Sequence, residues 1–338
     1  MELDKMPIHK IEHFTDKRQM SIHKVFVVKR RDYFVDDSIT IDGDAPKKFV
    51  GIYDYQLLEH KRRTNRKNWI RYIAKTGHKW YPIESITELL LNRLGHIFGL
   101  KMAESRIAMM GGQLRFLSRY FLNSEREELV HGADILAGFL NDSPQFVEEV
   151  DRQKLTNEWF TLQVIEQAVE NMFLHQKEEI MYNLSKLIIF DAVVGNNDRH
   201  FFNWGVVRSI DSSFQPYFSP IYDTARGLFW NDSEEKLRKI IEVNKTVDSH
   251  IRKYCKESKP KIGWEGESKL NHFKLFEKIY KNEFYISADE IKSLLNPAIL
   301  EEMIAEVRQN FGHLISANRT TMICKCLEYR FNHLREML

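Results

Sequence analysis

Gly195-Asn196-Asn197-Asp198-Arg199-His200-Phe201-Phe202-Asn203-Trp204-Gly205 is the stretch from which the chain is best read. Upstream, Leu187-Ile188-Ile189-Phe190 and Ala192-Val193-Val194 have the continuous apolar character of a buried helix end, and Gly195 stands where a left-handed C-terminal cap would stop that helix. Downstream, Trp204 to Val207 reads as a strand. The polar residues form a loop held between two buried elements, the kind of place where a rigid scaffold presents chemistry.

Within the loop Asp198 precedes Asn203 by five residues, the Asp-x-x-x-x-Asn interval of kinase catalytic loops. The interval has a mechanical reason: the carboxylate must orient the proton of an attacking hydroxyl while the Asn carbonyl, one loop turn away, holds a cation that bridges phosphates. Such a cation needs a second carboxylate. Pro220-Ile221-Tyr222-Asp223 supplies one, after a further strand-like run from Gln215 to Phe218. Taken singly, Asp198 and Asn203 would be read as loop residues that hydrogen-bond backbone.

Gly-Asn-x-Asp-Arg-His-x-x-Asn-Trp-Gly followed by Pro-Ile-Tyr-Asp resembles the C-terminal catalytic domain of the HipA-like serine/threonine kinases, bacterial proteins often found as toxins of toxin–antitoxin pairs. The resemblance lies nearest the small single-chain branch that is also compared with phosphoinositide kinases. It implies an α+β, bilobal, protein-kinase-like fold with a small β-rich N-lobe and a mostly helical C-lobe. It also implies use of ATP and Mg2+, a protein substrate and a small antitoxin or other regulator as partner. Asp198 then falls in the place of the catalytic base, Asn203 and Asp223 in those of the metal ligands, and Arg199 and His200 in those that shape the loop. Asp191, on the preceding helix, is a candidate to orient Arg199; Arg226 is a candidate partner for a phosphate or for the loop.

In the resembling kinases a strand lysine contacts the nucleotide phosphates and pairs with a helix glutamate. Trp69 to Lys75 is a strand candidate, so Lys75 takes that role, with Lys79 as competitor. A helix opens near Pro82 with Ile86, Leu89, Leu90, Leu94, Ile97 and Phe98 at helical spacing. Glu88 lies off that stripe, on a face shared with Leu91 and Gly95, and is the candidate partner of Lys75. Ser105 to Met109 and Gln113 to Tyr120 read as a hairpin about Gly111-Gly112, which would put the backbone near Leu117 at the hinge that receives a nucleotide base. Many members of the family carry a phosphate loop with Ser, Gly, Gln and Lys before the strand lysine. No such string stands between residues 36 and 75, so the resemblance does not supply the cover of the nucleotide or a site of autophosphorylation.

The remaining pattern fits two lobes, residues 1–117 and 118–338. Short apolar runs at Val25-Phe26-Val27-Val28 and Phe49-Val50-Gly51-Ile52-Tyr53, with Gly43 and Pro46 between them, read as sheet and turns. Beyond Leu122 helix patterns dominate: 134–140, 144–151, 155–175, 179–194, 234–254, 268–281, 288–294, 297–309 and 319–336, with one small β-insertion at the loop. The chain of 338 residues is long enough for both lobes, and 43% hydrophobic with 29% charged residues is ordinary globular composition.

A formal net charge of +2 argues neither for nor against nucleic acid. The run His60-Lys61-Arg62-Arg63-Thr64-Asn65-Arg66-Lys67 reads first as a solvated loop and second as a phosphate- or nucleic-acid-facing patch. Cys255, Cys324 and Cys326 are too few for a disulfide framework or a complete zinc site, which suits a reducing compartment. The first residues hold no apolar signal core and no run of about eighteen apolar residues occurs, so a cytoplasmic protein is expected, one delivered to a host cell if it acts as an effector. The alternatives to a protein kinase are a phosphoinositide-type lipid kinase and a non-catalytic pseudokinase or nucleic-acid-binding regulator.

Overall fold

Gly111 and Gly112 turn the chain with φ of 60° and 76°, the pair of positive values that a two-residue hairpin between twisted strands requires. They join β5 (Ser105–Met110) to β6 (Gln113–Arg119), around which the first sheet is built. The computed structural model describes residues 25–39, 47–58, 60–77, 82–123, 125–243, 247–267 and 270–338. With β1 (Phe26–Val28), β2 (Tyr33–Val35), β3 (Lys47–Ile52) and β4 (Ile70–Lys75), the sheet has the order β1-β5-β6-β4-β3-β2. All of its contacts are antiparallel except β1 with β5.

Side chains alternate between the two faces of a strand, and the two faces of this sheet bury different things. Val28, Tyr33, Val50, Ile52, Tyr72, Ala74, Ala108, Met110 and Leu117 close a small core of their own, which the curl of the sheet folds over. On the opposite face Ile107, Leu114 and Phe116 join the main core against α1 (Ile83–Ile97). Lys75 stands opposite Phe116 in register, so its side chain is on this second face, toward the rest of the molecule.

The helical part carries α2 (Gly132–Leu140), α3 (Pro144–Arg152), the single turn α4 (Thr156–Trp159), α5 (Leu162–Phe173) and α6 (Lys177–Val194). It continues with α7 (Glu234–Glu242), α8 (Val247–Glu257), α9 (His272–Lys281), α10 (Ala288–Leu294), α11 (Pro297–Glu306) and α12 (Ala317–Arg335). A second sheet, in the order β7 (Glu127–His131), β8 (Gly205–Ser209), β9 (Tyr217–Phe218), frames the loop. The two parts are stitched together where Ala103 N–H donates to the Ile221 carbonyl at 2.9 Å and Ile221 N–H to the Lys101 carbonyl at 2.8 Å. That stitch places the Pro-Ile-Tyr-Asp segment beside the chain leaving α1.

The structure departs from the sequence expectations at several points. The helix expected over 155–175 is broken at Phe160 and Thr161, where the Thr161 hydroxyl accepts from Val164 N–H and starts α5 afresh. The helix expected over 234–254 is two, α7 and α8. Strands β2 and β7 carry too few alternating residues to be read, and only pairing with β3 and β8 makes them strands. The expected lobe boundary at residue 117 falls inside β6, which runs on to Arg119. Gly43 and Pro46 lie outside the described residues. Among the described residues no helix is long and apolar enough to cross a membrane.

Candidate active site

Helix α6 ends as its sequence requires. Gly195 takes the left-handed conformation, φ 67° and ψ 40°, and its N–H closes on the Asp191 carbonyl. The loop that follows is held from inside. Arg199, buried, uses its five donors on five acceptors: Nε on Asp191 Oδ2 at 2.9 Å, Nη2 on Asp191 Oδ1 at 3.1 Å and Thr224 Oγ1 at 2.9 Å, and Nη1 on the carbonyls of Asn203 at 2.9 Å and Tyr222 at 3.3 Å. One guanidinium thus ties the end of α6, the end of the loop and the Tyr222-Asp223-Thr224 turn. Asp191 also accepts from Asn196 Nδ2 at 2.9 Å.

Because Arg199 holds Tyr222 and Thr224, Asp223 between them is turned into the positive-φ region at 52°, an uncommon conformation that survives only where its neighbours dictate it. Its carboxylate meets lysines of the first sheet: Lys75 Nζ at 2.9 Å from Oδ1 and Lys47 Nζ at 3.1 Å from Oδ2. Lys75 also reaches Glu88 Oε1 at 2.6 Å. Four charges from β3, β4, α1 and the turn after β9 therefore converge. Burial alone would raise the Asp223 carboxyl, but Lys75 and Lys47 outweigh it and hold it well below the usual carboxylate range. Burial pushes the Glu88 carboxyl up to about 7 against the pull of Lys75. For Lys75, burial opposes the charge, and Asp223 and Glu88 overcome it and raise the ammonium above its ordinary value.

Asp198 lies on the same loop with its Oδ2 3.1 Å from Arg226 Nε and its side chain 18% exposed. Burial raises its carboxyl, and Arg226 and His200 partly offset that. His200 is held low by burial, with Asp198 opposing. Its Nδ1 accepts from Phe202 N–H at 3.2 Å and shapes the turn. Asn203 donates Nδ2 to the Asp198 carbonyl at 2.8 Å. An amide that spends its NH2 group this way keeps its oxygen as an acceptor.

Asp223 and Asn203 are oxygen donors of the kind Mg2+ takes, one carboxylate and one amide, with the remaining positions supplied by phosphates and water. Among the described residues no group of three or more His, Cys, Asp or Glu is placed to hold a metal without such help. The residues thus fit a cation that arrives with a nucleotide.

Of the residues singled out from sequence, Lys75, Glu88 and Asp223 meet directly, and Asp198, Arg199, His200 and Asn203 share one loop whose frame also fixes Asp223. Asp191 does orient Arg199, and Arg226 pairs with the loop. Leu117 is not brought to the site: it stands opposite Ala74 and Arg106 in the middle of the sheet, and its side chain lies in the small core behind Lys75. A base contact would have to come from the chain beyond β6. Lys79 lies outside the described residues.

The basic run is also displaced from the site. It precedes β4, whose other end carries Lys75, roughly 17 Å away along the strand. Arg63 pairs with Asp32 at 3.1 Å, and the Arg66 guanidinium lies 5.1 Å over the Phe34 ring. Three participants escaped sequence reading: Lys47, Thr224, and Tyr222, whose hydroxyl lies 2.8 Å from His131 Nδ1. Only the sheet register could have found Lys47.

The HipA-like C-terminal domain family model matches residues 39–313, and the chain belongs to that family. The crystal structure of a Helicobacter pylori proinflammatory kinase, CtkA, matches with a TM-score of 0.68 at 14% identity, over 92% of this chain and 97% of that one. The chain therefore has the fold of that kinase. A Shewanella oneidensis HipA, solved with HipB and operator DNA, matches with a TM-score of 0.49 at 11% identity, over 89% of this chain and 66% of that one. No curated protein matches the chain.

Proposed function

We propose that this HipA-like chain is an ATP- and Mg2+-dependent kinase that transfers a phosphoryl group to a serine or threonine hydroxyl of a protein. The observation that carries the reading is the meeting of Lys75, Glu88 and Asp223, residues up to 148 positions apart, at contact distances of 2.6 and 2.9 Å. A fold pays the desolvation of four charges in one cleft only where the cleft has a use for them.

In this reading Asp198 takes the proton of the attacking hydroxyl once the acceptor displaces Arg226 from its carboxylate. Burial, by raising Asp198, makes it a better base than an exposed carboxylate. Lys75 supports the nucleotide phosphates, and Glu88 holds Lys75 in place. Asn203 and Asp223 would hold Mg2+, whose chemistry is to neutralise the charge that develops on the phosphates. Arg199 and His200 keep the loop in shape without touching the reacting atoms. The lobes would divide after Arg119, at the end of β6. Family membership supports a toxin or effector setting with a small antitoxin-type partner.

The test is transfer of label from [γ-32P]ATP with Mg2+ to a generic protein acceptor, comparing wild type with Asp198→Asn and Asp223→Asn. Label carried by wild type and lost in both variants, each still unfolding cooperatively, supports the reading. Failure of the wild-type chain to bind ATP would sink it. Lipid vesicles containing phosphatidylinositol, assayed in parallel, separate protein from lipid acceptors.

A further inference from the structure

Lys47 and Lys75 are directly opposite one another in the β3–β4 ladder. Directly opposed residues of an antiparallel pair put their side chains on one face with Cβ atoms about 5 Å apart, and like charges so placed repel. Both lysines are largely shielded from water, with side chains 12% and 9% exposed. Two neighbouring desolvated ammonium groups persist only around an anion. Here that anion is Asp223, whose oxygens take one lysine each. The adjacent Lys48 belongs to the other face and pairs at 2.8 Å with the exposed Asp37, so the strand turns a single lysine of the pair into the cleft.

The arrangement has a consequence for binding order. Asp223 is the carboxylate assigned to the metal in the phosphoryl-transfer reading, and both of its oxygens are capped by ammonium groups. A dication approaching the cleft alone meets two like charges within about 3 Å of its ligand. A polyphosphate carries more negative charge than one carboxylate and would draw the lysines onto itself, releasing the Asp223 oxygens.

We infer that Lys47 is a second phosphate-binding lysine, and that Lys47 and Lys75 together guard the metal face of Asp223 until a nucleotide's phosphates draw them away. The inference rests on the phosphoryl-transfer reading and extends it to a residue no motif identifies. Metal and nucleotide then enter together or nucleotide first, never metal first.

The experiment uses the full chain, the non-hydrolysable analogue AMP-PNP, and Mn2+ as a paramagnetic stand-in for Mg2+. AMP-PNP affinity is read by calorimetry and bound Mn2+ by electron paramagnetic resonance. Wild type is expected to hold Mn2+ at least about tenfold more tightly with AMP-PNP than without it. Lys47→Met should weaken AMP-PNP by about tenfold to a hundredfold, the loss of one charged hydrogen bond, and should bind Mn2+ alone more tightly than wild type. Lys47→Arg, which keeps the charge, should recover most of the nucleotide affinity. Lys48→Met, which removes the same charge one residue away, should behave as wild type and so exclude a general effect of net charge. Wild-type affinity for AMP-PNP in Lys47→Met, or equal Mn2+ binding with and without nucleotide in wild type, overturns the inference while leaving the kinase reading in place. Absence of AMP-PNP binding by wild type overturns both.

Discussion

Two ionic clusters meet at the Tyr222-Asp223-Thr224 turn, and they are built on opposite terms. Asp191 and Arg199 are each 3% exposed by side chain, and the guanidinium has an acceptor for every donor. Asp223 leaves 28% of its side chain open and is held by the flexible tips of two lysines. The first cluster is a frame whose ligands cannot exchange; the second is a set of contacts that a ligand can take over. Removing one partner of a buried, fully bonded pair strands a charge, whereas water can serve a part-open one. Rigidity and reactivity are thus separated by one residue in the chain.

The largest effect tests that separation directly. Arg199→Leu should lower unfolding stability by about 3–5 kcal/mol, read from the urea midpoint, while Asp223→Asn, which keeps an amide oxygen facing Lys47 and Lys75, should cost less, about 1–3 kcal/mol, and yet reduce phosphoryl transfer by about a hundredfold. Equal destabilisation by the two would end the distinction. A smaller effect concerns Glu88, which burial lifts from 4.5 to about 7 with Lys75 opposing. A carboxyl whose folded value exceeds its unfolded one holds its proton more tightly in the folded chain, so stability falls as pH rises through that window. Glu88→Gln should remove this slope between pH 4.5 and 7, and chemical denaturation across the window would reveal a slope that stayed.

Smaller again is the shift expected at Asp198. Burial raises its carboxyl and Arg226 lowers it, so the acid limb of the rate profile should sit above the usual carboxylate range. Arg226→Met should move that limb up by about one pH unit, and a downward move would mean that Arg226 does not act on Asp198. The least effect belongs to the basic run. Arg62→Gln combined with Lys67→Gln, both on the exposed loop, should alter stability by no more than about 0.5 kcal/mol and leave transfer at its wild-type rate. A large loss of transfer would bring the phosphate- or nucleic-acid-facing role of that run back into play.

The sequence was most legible where local chemistry and function coincide. The Gly195 cap, the Asp198 and Asn203 interval and the Gly111-Gly112 hairpin are short-range features whose backbone demands are met within a few residues, and each stands where it was expected. Legibility failed where a residue's surroundings come from far along the chain. Helical spacing shows Glu88 off the apolar stripe, but that α1 is covered on nearly every side, Glu88 included, comes from packing. Leu117 was placed at the hinge because an apolar run does not show where a strand stops: β6 continues for two residues beyond it, and the Leu117 backbone is in register with Ala74 within the sheet.

The sequence by itself determined the local form of the loop, from its glycine cap to the Asp198–Asn203 contact, because motif spacing encodes contacts that one loop turn can make. It also carried the identities of the strand lysine, the helix glutamate and the second carboxylate. Tertiary structure alone decided which charges share the cleft. Lys47 faces Asp223 through a sheet register and a crossing of 176 residues, and Arg199 turns Asp223 toward it through contacts with Tyr222 and Thr224. Coulombic neighbours are set by distance in space, and along this chain that distance is fixed by packing that no local pattern records.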